Sequence, residues 1–366
     1  MPKPLRILSM PVDDGGCGWY RIRQPLDMIQ RFTPHDTHII DPNSDNMVAL
    51  VKAMGVTDIA LMRQGAELGM RQLRNYPECN HLKWVLDIDD NIELISPYSQ
   101  HYHEYGLEEF YDQNAGKWLW KDGQADFNIQ RNKVRVLSLL QGLKEADLVT
   151  VTTPKLAEYA RYYNPKVAVL PNCINFERWW RLPLKPNNRL RVGWSGGVSH
   201  YEDWYSIKEP LNRLMREHQF TLVMAGSFFP GLVDEDNKHL IELHDWVPFK
   251  GHSYRMMCLH LDIALVPLAD LPFNHFKSAI KWYEMSAMGV PSIVAQVTPY
   301  KEEVEDGKTV LAYDNHQGFY KALRTLLINP NLRSKIGNEA HKWVKANRDA
   351  KKCAKLWAEA YRVLNA

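Results

Sequence analysis

The chain has 366 residues, which is enough for two domains that each bury a core. Hydrophobic residues make up 45% of it, charged residues 24%, and the formal net charge is +2. This composition is ordinary for a globular protein and gives no bulk electrostatic attraction to nucleic acid or membrane.

The cysteines and the hydropathy pattern bear on location. Five cysteines without a C-x-x-C pair indicate neither a disulfide framework nor a zinc cluster, and they fit a reducing compartment. The sequence opens on an apolar strand pattern without the features of a signal peptide, and no apolar run reaches the length of about 18 residues that suggests a membrane span. We therefore expect a cytoplasmic protein.

Apolar, β-branched runs alternate with helical patterns through the first half of the chain. This alternation predicts a parallel sheet with helices on both faces. The predicted strands are residues 5–10, 37–41, 58–63, 83–87, 147–152 and 166–170.

The loop after the first strand, DDGGCGWYR at residues 13–21, is rich in glycine and leads into a helical pattern. It does not match G-x-G-x-x-G, so a dinucleotide-binding fingerprint is not supported. Glycines allow the backbone to approach a ligand closely. Two interpretations of Arg21 remain open: it reaches a phosphate, or it lies on a solvated helix face.

The strand at 83–87 runs into three carboxylates, Asp87, Asp89 and Asp90. A D-x-D pattern is able to hold a divalent ion on a diphosphate. The alternative places these carboxylates at the C-terminal edge of the sheet, where they would orient an acceptor hydroxyl.

Residues 96–130 interrupt the alternation and are rich in aromatic residues and histidine. A long excursion in a compact domain is usually functional. The planar side chains either stack on a sugar or a base, or pack over the edge of the sheet. The residues that we consider for an acceptor site here are His101, His103, Trp118 and Trp120.

Residues 183–188 form a polar, Pro-marked linker, after which the alternation of strands and helices starts again. The predicted strand at 190–195 runs into Gly196 and Gly197, and Ser199, His200 and Asp203 follow before a helical pattern. Further strands are predicted at 220–226, 262–268 and 290–295. The second half therefore predicts another parallel sheet with helices.

A helix is predicted after the strand at 262–268. Ser278 is a plausible N-cap, and Gly289 followed by Pro291 predicts the end of the helix. Lys281 then lies in the first turn, where the helix macrodipole disfavours a cation.

A doubly anionic ligand would reverse that effect. Lys277, Lys281 and the free N–H groups of the helix would bind a phosphate at the C-terminal edge of the sheet. Glu284 follows one turn later on the same face, placed to accept from two sugar hydroxyls. The alternative is an amphipathic helix whose lysines are solvated.

The run KSAIKWYEMSAMGVP at residues 277–291 resembles the donor-binding segment of GT-B glycosyltransferases, and is especially similar to that of glycosyltransferase family 4. The resemblance implies that Glu284 binds the nucleotide ribose. Many members carry another glutamate eight positions earlier that contacts the transferred sugar. This chain has Phe276 there, which departs from the pattern.

The same resemblance assigns roles elsewhere. It places Gly15, Gly16 and Gly18 in the cleft between two domains, and it places the turn after Ser195 against the pyrophosphate. Many relatives have Arg or Lys soon after this turn, and His200 is the nearest counterpart here. Within the segment HDWVP, Trp246 and Val247 would flank the nucleobase.

The resemblance implies a GT-B fold, with two Rossmann-like domains facing a central cleft. Residues 1–183 are expected to bind the acceptor, residues 184–349 the nucleotide-sugar donor, and the helix at 350–366 is expected to pack back on the first domain. D-x-D is the metal signature of the other large glycosyltransferase fold, GT-A. Because lysines meet the diphosphate here, we expect no metal and no cofactor.

The predicted reaction is transfer of a hexose or pentose from a nucleotide-sugar, such as a UDP-sugar, to a hydroxyl of a saccharide or small molecule. The likeness to family 4 implies retention at the anomeric carbon. Lys277 and Lys281 would stabilise the leaving diphosphate, and Asp89 and Asp90 would act on the acceptor side. The alternatives are a DNA glycosyltransferase acting on a hydroxymethylated pyrimidine, a sugar-nucleotide epimerase of the same fold, and a non-catalytic sugar-binding protein.

Overall fold

The computed structural model describes residues 3–10, 13–40, 52–65, 67–113, 115–181, 188–229 and 231–365. Nearly all of the linker predicted at 183–188 lies outside these ranges. Two parallel sheets organise the chain, and we refer to the units built on them as the N-terminal and C-terminal domains.

The sheet of the N-terminal domain has six parallel strands in the order β2-β1-β3-β4-β7-β8. Each predicted strand of the first half forms, with ends that differ by one or two residues. The strands are β1 Arg6–Met10, β2 Asp36–Ile39, β3 Ile59–Arg63, β4 Lys83–Ile88, β7 Leu148–Val151 and β8 Val167–Val169, with an antiparallel hairpin of β5 Phe110–Asp112 and β6 Lys117–Trp120 inserted between β4 and β7.

Helices of this domain cover the faces of the sheet, and side-chain caps begin two of them. Asn128 accepts a hydrogen bond from the Arg131 amide and Thr153 from the Leu156 amide, which satisfies free N–H groups of each first turn. The helices are α1 Gly16–Gly18, a π-helical turn Trp19–Arg23, α2 Gln24–Phe32, α3 Glu67–Leu73, α4 Tyr102–Tyr105, α5 Ile129–Glu145 and α6 Pro154–Arg161, with 3-10 turns at Pro77–Cys79 and Ile92–Leu94.

The sheet of the C-terminal domain also has six parallel strands, in the order β11-β10-β9-β12-β13-β14. These are β9 Arg191–Gly196, β10 Thr221–Gly226, β11 Ile241–His244, β12 Ile263–Val266, β13 Ser292–Ala295 and β14 Leu311–Tyr313. The helices are α7 Tyr201–Tyr205, α8 Lys208–His218, α9 Phe249–Cys258, α10 Ile280–Ala287, α11 Tyr300–Glu303, α12 His316–Ile328, α13 Pro330–Asn347 and α14 Ala350–Arg362, with 3-10 turns at Val198–His200, Glu235–Leu240, Pro272–Phe276 and Val363–Asn365.

The last helix, α14, packs on the N-terminal domain rather than on the domain that precedes it. Trp357 and Tyr361 are buried in one cluster with Leu5, Ile22 and Leu26. Apolar residues on one face of this helix thus close the core beneath β1.

A disulfide joins Cys173, after β8, to Cys353 in α14. The sequence analysis indicated no disulfide framework and did not anticipate this pair, because the two cysteines are 180 residues apart and meet only when α14 folds back. Among the residues that the structure describes, no helix is both long and apolar enough to cross a bilayer.

Candidate active site in the interdomain cleft

The C-terminal edges of the two sheets face a cavity of about 350 Å³. Both domains contribute to its walls, as expected of open α/β sheets that bind ligands at strand ends. The N-terminal domain contributes Gly16, Cys17, Tyr20, Asp89, Asp90, Ser99, His101 and Asn172. The C-terminal domain contributes, among others, Ser195, Gly196, Gly197, His200, Trp246, Val247, His252, Lys277, Ser278, Lys281 and Glu284.

Helix α10 begins at this cavity without a side-chain cap. Its N-cap is Ala279, so the prediction of Ser278 as N-cap is wrong. The Ser278 hydroxyl instead accepts a hydrogen bond of 2.8 Å from Asn172 of the N-terminal domain. The N–H groups of the first turn therefore lack a capping side chain, which leaves them able to bind an anion.

Lys281 lies in the first turn of α10, as the spacing predicts. Its Nζ donates to the Ser195 carbonyl at 2.8 Å and lies 5.3 Å from the centre of the Trp194 ring. Burial, together with Lys277, lowers the pKa of Lys281 to about 8. Neither lysine forms a direct ion pair with a carboxylate among the described residues, although Glu284 and Asp203 favour the charged form of Lys281 through space.

The glycine turn after β9 forms the facing wall. A Cβ at Gly196 would lie 2.8 Å from Lys281 Nζ and closer still to Trp194. Gly226 has a φ of +101°, and a Cβ there would lie 2.4 Å from the Gly196 carbonyl oxygen. The turn therefore tolerates no side chain at Gly196, and its backbone borders the space beside Lys281.

His200 is held by a buried carboxylate. Its Nδ1 lies 2.5 Å from Asp203 Oδ2, and the other oxygen of Asp203 accepts from the Ala269 amide and the Asn274 side chain. Burial, then the nearby lysines, lower the pKa of His200 to about 3. The ring is therefore neutral near pH 7, and His200 does not supply the positive charge that the resemblance led us to expect after this turn.

Glu284 lies one turn beyond Lys281 and is buried. Its Oε1 accepts from the Tyr20 hydroxyl at 2.7 Å and lies 3.3 Å from His252 Nε2. Burial opposes ionisation, but His252, Tyr20 and Lys281 outweigh it and keep the pKa of Glu284 below its ordinary value. Glu284 is thus a carboxylate at neutral pH.

The predicted base-binding residues follow β11. Trp246 and Val247 line the cavity, and the Trp246 side chain is 63% exposed. Arg255 and Met256 of α9 line the same region. An exposed indole beside a cavity is available to stack on a planar ligand.

The structure corrects both interpretations of Arg21. Its guanidinium is fully buried and binds both oxygens of Asp87, at 2.9 and 2.7 Å. It also donates to the Leu170 carbonyl, and Asp87 accepts from Thr150. Arg21 is therefore neither solvated nor part of the cavity lining, and Asp87 is not free to bind an acceptor.

Asp89 and Asp90 differ in their surroundings. Asp89 pairs with Arg63, at 3.0 and 3.2 Å, and Arg63 also pairs with Asp13. Asp90 forms no hydrogen bond or ion pair with another described residue. Burial and the charge of Asp89 raise the pKa of Asp90 to about 7. Asp90 is the carboxyl group at this strand end that remains available in the cavity.

Two carboxylates of the D-x-D pattern are engaged by arginines. Arg21 occupies the carboxylate of Asp87, and Arg63 occupies that of Asp89. Within the described ranges, no group of three or more His, Cys, Asp or Glu is arranged to hold a metal ion.

The loop glycines divide between scaffold and cavity. The Gly15 and Gly18 amides donate to Asp13 Oδ1 at 2.7 and 3.1 Å, and a Cβ at Gly18 would collide with the Asp13 carbonyl. Neither residue lines the cavity, whereas Gly16 does, next to Phe249.

Most of the aromatic excursion packs rather than lining the cavity. Trp120 contacts the cluster of Tyr102, Phe127 and neighbours, and its indole donates to the Pro97 carbonyl. His103 packs beside Trp120. Trp118 is 45% exposed on the β5–β6 hairpin, with its ring edge against Tyr111. His101 is the one residue of the four proposed for the acceptor that lines the cavity.

Sequence reasoning missed Tyr20, His252 and Phe249, which line the cavity together. Tyr20 lies next to Arg21 in the glycine-rich segment, and the position in that segment is the signal that would have identified it. His252 and Phe249 follow the predicted HDWVP segment in the first turn of α9, and no motif identified them.

Residues 208–359 match a family model described as glycosyl transferase-like. No curated protein matches the chain. Three solved structures illustrate the likeness of the whole chain. Sucrose-phosphate synthase from Thermosynechococcus elongatus has 15% identity and a TM-score of 0.65, over 98% of this chain and 99% of that one.

HepE from Anabaena, in complex with UDP and glucose, has 12% identity and a TM-score of 0.67, over 98% of this chain and 100% of that one. A glycosyltransferase from Rickettsia africae has 12% identity and a TM-score of 0.63, over 99% of each chain. These likenesses confirm the predicted architecture. The chain has the GT-B fold, and its residues 208–359 are similar to the glycosyl transferase-like family model.

Proposed function

We propose that this chain is a glycosyltransferase that moves a sugar from a UDP-sugar to an acceptor hydroxyl. One observation carries the proposal: Lys277 and Lys281 line the cavity at the uncapped start of α10, and neither forms a direct ion pair with a described residue. Two half-buried cations without a direct ion pair at a ligand cavity are the arrangement expected of an anion site.

The donor diphosphate would lie between α10 and the glycine turn. Two lysines and the free N–H groups of the helix would stabilise the charge that develops as the bond from the anomeric carbon to the diphosphate breaks. Bound phosphate would also raise the lowered pKa of Lys281 and so favour its charged form.

The nucleoside would lie toward α9. Glu284 would accept from the ribose hydroxyls, and Trp246 and Val247 would contact the base. The HepE structures contain UDP with glucose, or UDP-glucose, and we transfer that donor class to this chain as part of the proposal. The cavity volume lies within the range of roughly 300–1,000 Å³ typical of small-molecule sites.

The acceptor would enter from the side of Asp90. Its hydroxyl oxygen forms the new bond to the anomeric carbon, the old carbon–oxygen bond breaks, and the departing phosphate takes the hydroxyl proton. We propose retention of anomeric configuration by this route, which requires no protein nucleophile. Asp90 would orient the hydroxyl as a carboxylate that its own chain leaves unpaired.

We favour a saccharide or small-molecule acceptor over DNA. The DNA hypothesis depended on the aromatic residues 96–130 stacking on an extruded base, and Trp118 and Trp120 lie outside the cavity lining. No contact among the described residues specifically favours the epimerase alternative.

The test is release of UDP from labelled UDP-sugars with and without a panel of saccharide, small-molecule and modified-DNA acceptors. We expect acceptor-dependent UDP release with labelled sugar on the acceptor. We also propose that excess chelator leaves the rate unchanged, because lysines meet the diphosphate. UDP formation that never depends on an acceptor would contradict transfer, and loss on chelation restored by Mn²⁺ would contradict metal independence.

A further inference from the structure

A tyrosine of the N-terminal domain binds the carboxylate to which we assign the ribose. Tyr20 lies in the π-helical turn Trp19–Arg23, and its buried hydroxyl donates to Glu284 Oε1 at 2.7 Å. Glu284 belongs to α10 of the C-terminal domain. The two halves of the cleft are therefore joined at this carboxylate.

His252 is a second partner of the same oxygen. Its Nε2 lies 3.3 Å from Oε1. Phe249 holds both partners, since it stacks on the His252 ring at 4.8 Å and meets the Tyr20 ring edge-on at 5.3 Å. Trp179 packs edge-on against His252 at 5.8 Å. Aromatic contacts thus fix the positions of both groups, which is what a preorganised binding group requires.

The two oxygens of the Glu284 carboxylate have different surroundings. Both reach Oε1, whereas Oε2 has no hydrogen bond to any residue that the structure describes, and Glu284 lines the cavity. Two groups at Oε1, together with burial, restrict rotation of this carboxylate, so its second oxygen is an acceptor in a defined position. A ribose hydroxyl is a donor that matches such an acceptor.

We propose that Tyr20 and His252 are positioning residues of the donor site, which hold Glu284 by Oε1 and present Oε2 to the ribose 2′-hydroxyl. The chain then selects ribonucleotides over deoxyribonucleotides, and Tyr20 of the N-terminal domain takes part in that selection. The inference rests on the proposed donor site and adds the residues that determine its sugar specificity.

The experiment is calorimetric titration of UDP and 2′-deoxy-UDP into the full chain. Four variants are compared with wild type: Tyr20→Phe, His252→Leu, Glu284→Gln and the control Tyr159→Phe. Tyr159 is matched to Tyr20, because its hydroxyl also donates to a glutamate, Glu93, at 2.7 Å, but it lies outside the cavity lining.

We expect wild type and Tyr159→Phe to prefer UDP by about tenfold or more, as a hydrogen bond to a charged acceptor implies. Tyr20→Phe and His252→Leu should each reduce this preference by about threefold or more, through weaker UDP binding with 2′-deoxy-UDP binding unchanged. Melting temperatures identify any variant that fails to fold, and the other variant then decides.

Two results would overturn the inference while leaving the proposed donor site intact: an unchanged preference in both positioning variants, or equal weakening of both ligands, which indicates loss of domain packing alone. A different result bears on the proposed function itself. If Glu284→Gln keeps the wild-type preference, Glu284 does not read the ribose, and the proposed donor site is wrong together with this inference.

Discussion

Charged side chains lie at strand or helix ends in both domains, but the pairing of these charges differs. At the end of β4 in the N-terminal domain, Arg21 pairs with Asp87 and Arg63 pairs with Asp89. At the start of α10 in the C-terminal domain, Lys277 and Lys281 have no carboxylate partner among the described residues. Asp87 and Asp89 are neutralised by direct ion pairs within the chain, and the two lysines are not.

We infer that the paired Arg and Asp side chains stabilise the fold, whereas the two lysines bind a ligand. Removing one member of a buried pair leaves an uncompensated charge, which destabilises the folded state. Removing a half-buried cation that lacks an ion pair relieves a desolvation cost and instead removes a binding group. The two regions should therefore lose different properties when they are mutated.

The largest effect is expected at Arg21. Arg21→Met leaves the buried Asp87 carboxylate without its cation, so the free energy of unfolding should fall by about 3–5 kcal/mol. Urea denaturation measures it. The control is Arg31→Met, which breaks an exposed pair with Glu177 and should change stability little. Equal losses in the two variants would show that the buried pair does not stabilise the N-terminal domain.

Lys281→Ala should produce the opposite pattern. Turnover should fall by about 10²-fold or more, because a group that stabilises the leaving diphosphate is lost. The melting temperature should stay the same or rise, since a partly desolvated charge without an ion pair is removed. Steady-state kinetics and thermal melts on this variant and on the exposed control Lys321→Ala test both statements. Wild-type turnover in Lys281→Ala would remove Lys281 from the site.

The fold was accessible from the sequence because its signals are local. Apolar runs such as residues 58–63 and 190–195 form strands within a residue or two of the predicted bounds. The placement of Lys281 in a first turn and of Glu284 one turn later follows from helical spacing, and the structure brings both to one cavity. Their chemical roles remain predictions.

The side-chain partners of the site residues could not be predicted from the sequence, because they come from distant segments of the chain. Ser278 has the residue type of an N-cap, but Asn172 from the other domain binds its hydroxyl. Arg21 has the residue type of a phosphate ligand, but its neighbour in space is Asp87. The Tyr20–Glu284 contact joins residues 264 positions apart. Residue type and spacing give no information about such pairings.

The pH dependence of kcat/KM tests the one carboxyl group at the end of β4 that is not neutralised. Asp90 has a raised pKa of about 7, so its carboxylate is lost as the pH falls below that value. Lys281 has a lowered pKa of about 8, so its charge is lost as the pH rises above it. We expect a narrow bell-shaped profile, falling by about tenfold per pH unit on each side.

Asp90→Asn should abolish the acidic limb and leave the alkaline limb in place. The amide does not titrate, whereas Lys281 still does. An acidic limb that persists in this variant would assign it to another group, and Asp90 would then have no part in catalysis.

The smallest effect is expected at Trp118, on the β5–β6 hairpin. This hairpin belongs to the aromatic segment that the DNA hypothesis requires to bind the acceptor. Because this side chain is 45% exposed and lies outside the cavity lining, Trp118→Ala should change the free energy of unfolding by less than about 0.5 kcal/mol. Trp120→Ala should destabilise the protein more, since Trp120 packs against Phe127 and Tyr102. We measure the affinity for a duplex that contains hydroxymethylated pyrimidine at several salt concentrations. Neither variant should bind this duplex more weakly than wild type does. Binding to that duplex that falls steeply with salt and is weakened in Trp118→Ala would instead favour a DNA acceptor, because stacking and phosphate contacts give that dependence together.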